Sequence, residues 1–259
     1  MDLAILDGTV QPASTATISI LDEGLLRGDG VFEVARLYAG VPYALEEHLE
    51  RMARSAENLR LPLDVAQVRA DIAALLAAAG PVDMALRLFV TRGGRRVGLL
   101  EPIPERPATI ALATVAFAPS RVMDAVKSLS YGANMLTRRL AQEQGADDAL
   151  LLTPHGRVLE GPTAAFFAVL GGELVTPPLS DHILDSITRR KVFAVSDARE
   201  QVLTRDDLPH LDEAFLVSTL QNAHPVHAID GTALPAAPGP RAREVGAAVG
   251  ELIERELAA

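Results

Sequence analysis

Lys127 and Glu160 each sit where a charge is costly. Lys127 lies in Ala125-Val126-Lys127-Ser128-Leu129-Ser130-Tyr131, and an ammonium among apolar neighbours loses hydration. Desolvation favours the neutral amine, the form that condenses with an aldehyde. Glu160 lies in Val158-Leu159-Glu160-Gly161-Pro162-Thr163, where a carboxylate suits a protonated ring nitrogen. Further on, Ile183-Leu184-Asp185-Ser186-Ile187-Thr188-Arg189-Arg190 reads as a helix start. Asp185 or Ser186 caps it and leaves the first backbone N–H groups, Ile187 among them, to face an anion. The Thr188 hydroxyl adds a donor. Ser218-Thr219, after an apolar strand, forms a second hydroxyl-and-amide cradle, and Arg51 adds a charge-assisted donor.

Each group also fits an ordinary position: a surface lysine, a turn glutamate, a capped helix, a solvated helix face. As a set, an amine, a carboxylate and a phosphate cradle match the needs of pyridoxal 5'-phosphate. Positive charge elsewhere is carried mostly by arginine, which draws attention to the lysine kept at 127.

The elements that must position these groups alternate in type. Strands are expected at Leu3 to Leu6, Thr17 to Ile20 and Val31 to Leu37, the last ending at Ala39-Gly40. Helices follow at Glu46 to Asn58 and Asp64 to Ala79, with Asp64 as N-cap and Gly80-Pro81 as stop. Met84 to Thr91 and Thr109 to Val115 read as a strand pair around a charged loop from Arg92 to Pro107. Then come a helix from Tyr131 to Gly145 and strands at Ala149 to Thr153 and Ala165 to Leu170. A hairpin turn at Gly171-Gly172, a helix from Ser186 to Glu200, a strand from Ala214 to Ser218 and a helix from Arg241 to Ala258 complete the chain. The class is mixed α/β. Ala118-Pro119-Ser120 predicts a connector. Residues 1–117 form a smaller N-terminal α/β domain, 118–122 the connector and 123–259 a larger C-terminal cofactor-binding domain.

Composition narrows the partners. The 259 residues are 49% hydrophobic with net charge −10, which argues for a globular chain and against nucleic acid or an anionic membrane. The absence of cysteine removes disulfides and thiolate metal sites, and no metal is expected. No apolar run reaches the length of a membrane span and no signal peptide opens the chain, so a cytoplasmic protein is expected.

The order of motifs resembles the class IV aminotransferases, the fold-type IV pyridoxal-phosphate enzymes. The resemblance runs through Leu26-Arg27-Gly28-Asp29-Gly30-Val31-Phe32-Glu33, His48-Leu49-Glu50-Arg51-Met52, Thr91-Arg92-Gly93, Lys127 to Tyr131, Glu160 to Thr163, Thr176-Pro177-Pro178 and Ile187-Thr188-Arg189. It implies that Lys127 bonds the cofactor and shuttles the Cα proton, and that Glu160 faces the pyridine nitrogen. It places Arg51, Ile187, Thr188 and Thr219 on the phosphate, and Tyr131 near the phenolic oxygen. It also implies a homodimer. The chain departs from the family pattern at Ala164-Ala165-Phe166, where an asparagine usually follows the glutamate turn.

Within the family, lyases of the aminodeoxychorismate type carry threonine after the Phe-Glu pair, whereas this chain has Val34. A valine relays no proton. Arg27, Arg87 and Arg96 are candidates for the substrate carboxylate; Arg92 and Arg95 read equally as a solvated basic loop. Low aromatic content, 4%, disfavours a branched-chain pocket. The expected reaction is transfer of an amino group from a D-amino acid such as D-alanine or D-glutamate to an α-keto acid, by a ping-pong route. The alternatives are aminodeoxychorismate lyase, a branched-chain L-amino-acid aminotransferase, a cofactor-binding regulatory protein and a cofactor-free lysine aldolase.

Overall fold

A computed structural model describes residues 1–258 of the chain, which folds as two units. The first contains Met1–Glu105 and the returning segment Ala125–Tyr131; the second contains Arg106–Asp124 and the chain from Gly132 onward. The division therefore differs from the expected boundary around 118–122, and the segment bearing Lys127 belongs to the first unit.

The first unit builds one sheet from β1 (Ala4–Leu6), β2 (Thr9–Gln11), β3 (Gly30–Tyr38), β4 (Val41–Pro42), β5 (Ala85–Thr91) and β6 (Arg96–Glu101), in the order β2-β1-β6-β5-β3-β4. Its helices are α1 (Glu23–Arg27), α2 (Leu45–Asn58) and α3 (Val65–Ala79). Helix α2 buries His48, Leu49, Arg51, Met52, Ser55 and Ala56, the three- and four-residue spacing of an amphipathic helix. Asp64 caps α3 as expected, accepting from Ala66 N–H at 3.0 Å and Gln67 N–H at 3.1 Å. Alternation on the strands sorts the side chains. Val31 and Leu37 of β3, with Leu86, Leu88 and Val90 of β5, pack against Leu49, Met52, Ile72 and Leu75 of the helices. Phe32 and Val34 of β3, with Arg87 and Phe89 of β5, occupy the opposite face, in the register Phe32↔Phe89 and Val34↔Arg87.

Two expectations fail here. Thr17 to Ile20 forms no strand. The presumed loop from Arg92 contains β6, a central strand between β1 and β5, whose Val97 and Leu100 are buried. Its charges misled because they are paired within the fold: Arg95 with Asp7 at 2.6 Å and Arg96 with Asp71 at 2.8 Å.

The second unit carries a larger sheet of β7 (Ile110–Ala116), β8 (Asp148–Leu152), β9 (Ala165–Leu170), β10 (Glu173–Thr176), β11 (Arg199–Glu200), β12 (Leu211–Ser218), β13 (Gln221–Ile229) and β14 (Thr232–Ala233). The order is β11-β10-β9-β12-β13-β7-β8, with β14 on β13. Strand β7 is not the partner of β5; it runs parallel to β13 and β8. The helices are α4 (Gly132–Glu143), α5 (Ile187–Val195) and α6 (Pro240–Ala258). The helix expected to reach Glu200 ends at Val195, and Arg199–Glu200 instead joins β10 as β11. Phe166, Ala168 and Leu216 face one core with Leu150, Leu152 and Val226. Phe167 and Phe215 point the other way, stacked 5.5 Å apart, and Phe193 of α5 meets Phe167 edge-on at 6.2 Å. Burying each such ring contributes about 1.5–3 kcal/mol, so the aromatic cluster fixes α5 on the sheet.

Candidate active site

In the first unit, Lys127 lies on a segment stitched to the start of β3. Phe32 N–H donates to the Lys127 carbonyl at 3.1 Å, and Leu129 N–H donates to the Gly30 carbonyl at 2.9 Å. The glycines of this motif make the approach possible. Gly28 ends α1 at φ 68°, and a Cβ on Gly30 would come within 2.6 Å of Leu129 Cδ1 and 2.5 Å of the Val90 carbonyl oxygen. The lysine amine, half-buried, sits 4.4 Å from the Phe32 ring centroid and 5.8 Å from that of Tyr131. The two rings meet edge to face at 5.2 Å. The Arg87 guanidinium lies 6.0 Å from the same Phe32 ring. An amine, an aromatic wall and a guanidinium thus share one face of the sheet.

The other face carries a buried charge cluster. Glu33 follows Phe32, so strand alternation turns it toward α2. Arg51 forks onto it, with Nε to Oε1 and Nη2 to Oε2 both at 2.7 Å. His48 Nδ1 lies 2.7 Å from Oε2. Burial works to raise the Glu33 pKa, but the hydrogen bonds from Arg51 and His48 and their charges outweigh it and hold the carboxyl at about 2. Arg51, expected on the phosphate, is therefore already engaged through one edge of its guanidinium.

The remaining arginine candidates do not converge. Arg27 is exposed at the end of α1 and pairs with Glu23. Arg87 donates to Glu101 at 2.8 Å. Arg96 stands opposite Val90 in the register, on the helix-covered face with Asp71, away from Phe32 and Arg87. The strand period that hides Arg96 is the reason: Arg87 and Arg96 occupy opposite faces.

In the second unit, Val158 to Glu160 runs back beside β8, with Leu151 N–H donating to the Glu160 carbonyl at 2.9 Å. The Glu160 carboxylate accepts from Leu184 N–H at 3.2 Å, which ties it to the stretch leading into α5. Asn134 of α4 donates to the Pro162 carbonyl at 3.1 Å and Arg138 to the Thr163 hydroxyl at 2.9 Å. Helix α4 thus braces the turn after Glu160, where Ala164-Ala165 offers no polar side chain.

Ser186 is the N-cap of α5, accepting from Arg189 N–H at 3.3 Å. The N–H groups of Ile187 and Thr188, both largely buried, precede the helix's own bonding ladder. Ser218 ends β12, and Thr219 opens the tight turn to β13; α5 packs along β12. The donor set fits pyridoxal phosphate: backbone amides and hydroxyls for a phosphate, a carboxylate for a ring nitrogen, and an amine against aromatic rings for an aldehyde. The residues that sequence reasoning left without a role are Phe32, Glu33, His48 and Leu184. The Phe-Glu pair inside an alternating strand was the signal for the first two.

A family model described as amino-transferase class IV matches residues 30–229. A putative branched-chain-amino-acid aminotransferase of Methanocaldococcus jannaschii is 34% identical over 251 residues, covering 87% of each chain. A D-alanine aminotransferase of Bacillus licheniformis is 29% identical, covering 98% of each. Among solved structures, the chain is similar to the pyridoxal-phosphate-bound form of a hypothetical aminotransferase from Mycobacterium tuberculosis. That match has TM-score 0.89 and 28% identity, over 98% of this chain and 99% of that one.

Proposed function

We propose that this chain, which belongs to the class IV aminotransferases and is a pyridoxal-phosphate-dependent enzyme, moves the amino group of D-amino acids such as D-alanine and D-glutamate to α-keto acids. The bound cofactor supplies the electron sink for a carbanion at the substrate's Cα. Lys127 Nζ would hold the cofactor through its aldehyde carbon, and the same amine would carry the substrate's Cα proton. Glu160 would keep the ring nitrogen protonated, and Tyr131 would serve the phenolic oxygen. Arg51, Ser186, Ile187 and Thr188 at the start of α5, and Ser218 and Thr219 would hold the phosphate.

The observation that carries the substrate class is the shared Phe32 face: the Lys127 amine and the Arg87 guanidinium lie against one ring. A carboxylate on Arg87 places a substrate amine beside Lys127. Val34, opposite Arg87 in the register, puts hydrocarbon there, which supports transamination over elimination. The D-series is supported by the likeness to the Bacillus D-alanine aminotransferase along nearly the whole of both chains. The exposed apolar residues Ile20, Leu21, Leu25 and Leu26 beside Arg27 support a homodimer. No helix of the described residues is long and apolar enough to cross a membrane, in line with a cytoplasmic enzyme.

The test is chiral. Holoenzyme is incubated with D- or L-alanine and 2-oxoglutarate, and separately with aminodeoxychorismate. D-Glutamate is the expected product. L-Glutamate alone would make this a branched-chain-type enzyme, and pyruvate with 4-aminobenzoate a lyase. Arg87→Ala is expected to raise KM for the amino acid about 10- to 100-fold, the worth of a charge-assisted contact, while Arg96→Ala leaves KM within about twofold.

A further inference from the structure

The amide of Lys127 is held by a side chain that no role above uses. Its N–H donates to the Ser55 hydroxyl at 3.1 Å. That hydroxyl in turn donates to the Arg51 carbonyl at 2.9 Å, and Ser55 is fully buried on α2. The Lys127 carbonyl is held separately by Phe32 N–H at 3.1 Å. The residues just upstream, Asp124 and Ala125, are exposed, and Ala125 has φ 57°. Ser55 therefore captures the N-terminal side of the lysine where it leaves an irregular stretch.

We propose that Ser55 is a positioning residue for Lys127, fixing the amine against Phe32 by holding the lysine's own backbone N–H. Two clamps, one on each side of the Lys127 Cα, define the direction of its side chain. Removing the Ser55 oxygen keeps the carbonyl clamp and frees the amide. Rotation about N–Cα then swings the amine away from its place 4.4 Å from the Phe32 ring. The part-buried N–H left without an acceptor favours that shift, because an unpaired donor shielded from water is costly. Helix α2 is the right element for this task, since the Glu33–Arg51 fork locks it to β3, the strand that carries Phe32.

This inference rests on Lys127 being the catalytic amine, so the test measures holoenzymes of Ser55→Ala, Ser55→Thr, Ser55→Cys and Lys127→Ala in parallel. The readouts are kcat, KM for the amino donor, thermal midpoint, and the pH midpoint of the bound cofactor's visible band. For Ser55→Ala the expected result is a kcat lowered about tenfold to hundredfold, the scale of an ångström-sized misplacement. KM stays within about twofold, and the band's pH midpoint moves. Ser55→Thr keeps the acceptor and recovers part of both effects; Ser55→Cys, similar in shape but a weak acceptor, recovers neither. Wild-type kcat and pH midpoint in Ser55→Ala would overturn the proposal. So would a drop in thermal midpoint and kcat without a moved pH midpoint, with threonine no better than alanine. Full turnover by Lys127→Ala would instead overturn the reading of Lys127, whatever Ser55 does.

Discussion

The two units hold their reactive groups by different means. In the first, the Lys127 backbone is fixed by Phe32 N–H of β3 and by the Ser55 hydroxyl of α2, and the ion cluster of Glu33, Arg51 and His48 in the same unit is almost entirely buried. In the second, the Glu160 carboxylate accepts from Leu184 N–H, and the first amides of α5 follow the Ser186 cap. The difference teaches where each unit is fragile. A buried ion cluster is stabilising only while complete, because breaking it strands a charge in a low dielectric. A carboxylate that accepts from a backbone amide keeps that bond when exchanged for a side-chain amide, whose oxygen still accepts. Substitutions within the buried ion cluster of the first unit should therefore cost stability, whereas the matching substitution at Glu160 in the second should cost chemistry.

The largest effect is expected at the amine itself. Lys127→Ala should lower kcat at least 10²- to 10⁴-fold, the range of a lost general acid–base group, with little change in thermal midpoint. Next comes the contrast between two glutamates. Glu33→Gln removes the charge opposite Arg51 and should cost about 3–5 kcal/mol of unfolding free energy, measured by urea denaturation. Glu160→Gln should move stability by less than about 1 kcal/mol and lower kcat about 100-fold or more by removing the charge proposed to face the cofactor's ring nitrogen. If both glutamates behaved alike in denaturation, the contrast between the units would fail.

Acid sharpens the same contrast. Glu33 is held at about 2, well below the 4.5 of an ordinary glutamate. Its contribution to stability is thus complete above the unfolded-state value and is lost as pH falls from there toward the folded-state value. Between pH 5 and 2 the wild type should lose stability more steeply than Glu33→Gln. A parallel pair of curves would show that Glu33 is not the group being titrated.

The smallest effects compare two caps. Asp64→Ala and Ser186→Ala each remove an N-cap and should each cost about 1 kcal/mol. Only Ser186→Ala should also weaken cofactor affinity, read by equilibrium titration of the apo-protein. Equal affinities in the two variants would remove Ser186 from the phosphate site.

Much of this arrangement could be read from sequence because the signals were local. β3 alternates, α2 repeats at helical spacing, and Asp64 precedes an apolar run. Lys127 and Glu160 stood out against their immediate neighbours. What escaped needed distant partners. The Glu33 fork joins residues 18 apart, and only the docking of α2 on β3 brings them together. Strand β6 begins at an arginine and ends at a glutamate, and its charges are neutralised by Asp71 and Arg87 from other elements. Strand β13, which carries His224, Pro225 and His227, shows no apolar alternation, because proline and histidine take places that a strand usually gives to hydrocarbon. Arg96 was grouped with Arg87 by proximity in sequence, yet pairing register separates them by a whole sheet thickness.

The chain contains two lysines, Lys127 and Lys191, and the second is paired with Glu256 at 3.0 Å. This makes one measurement decisive for the central claim that Lys127 bonds the cofactor. Holoenzyme is treated with borohydride, digested and mapped by mass spectrometry. The cofactor's added mass is predicted on the peptide containing Lys127. Its appearance on the Lys191 peptide, or on neither, would contradict the account.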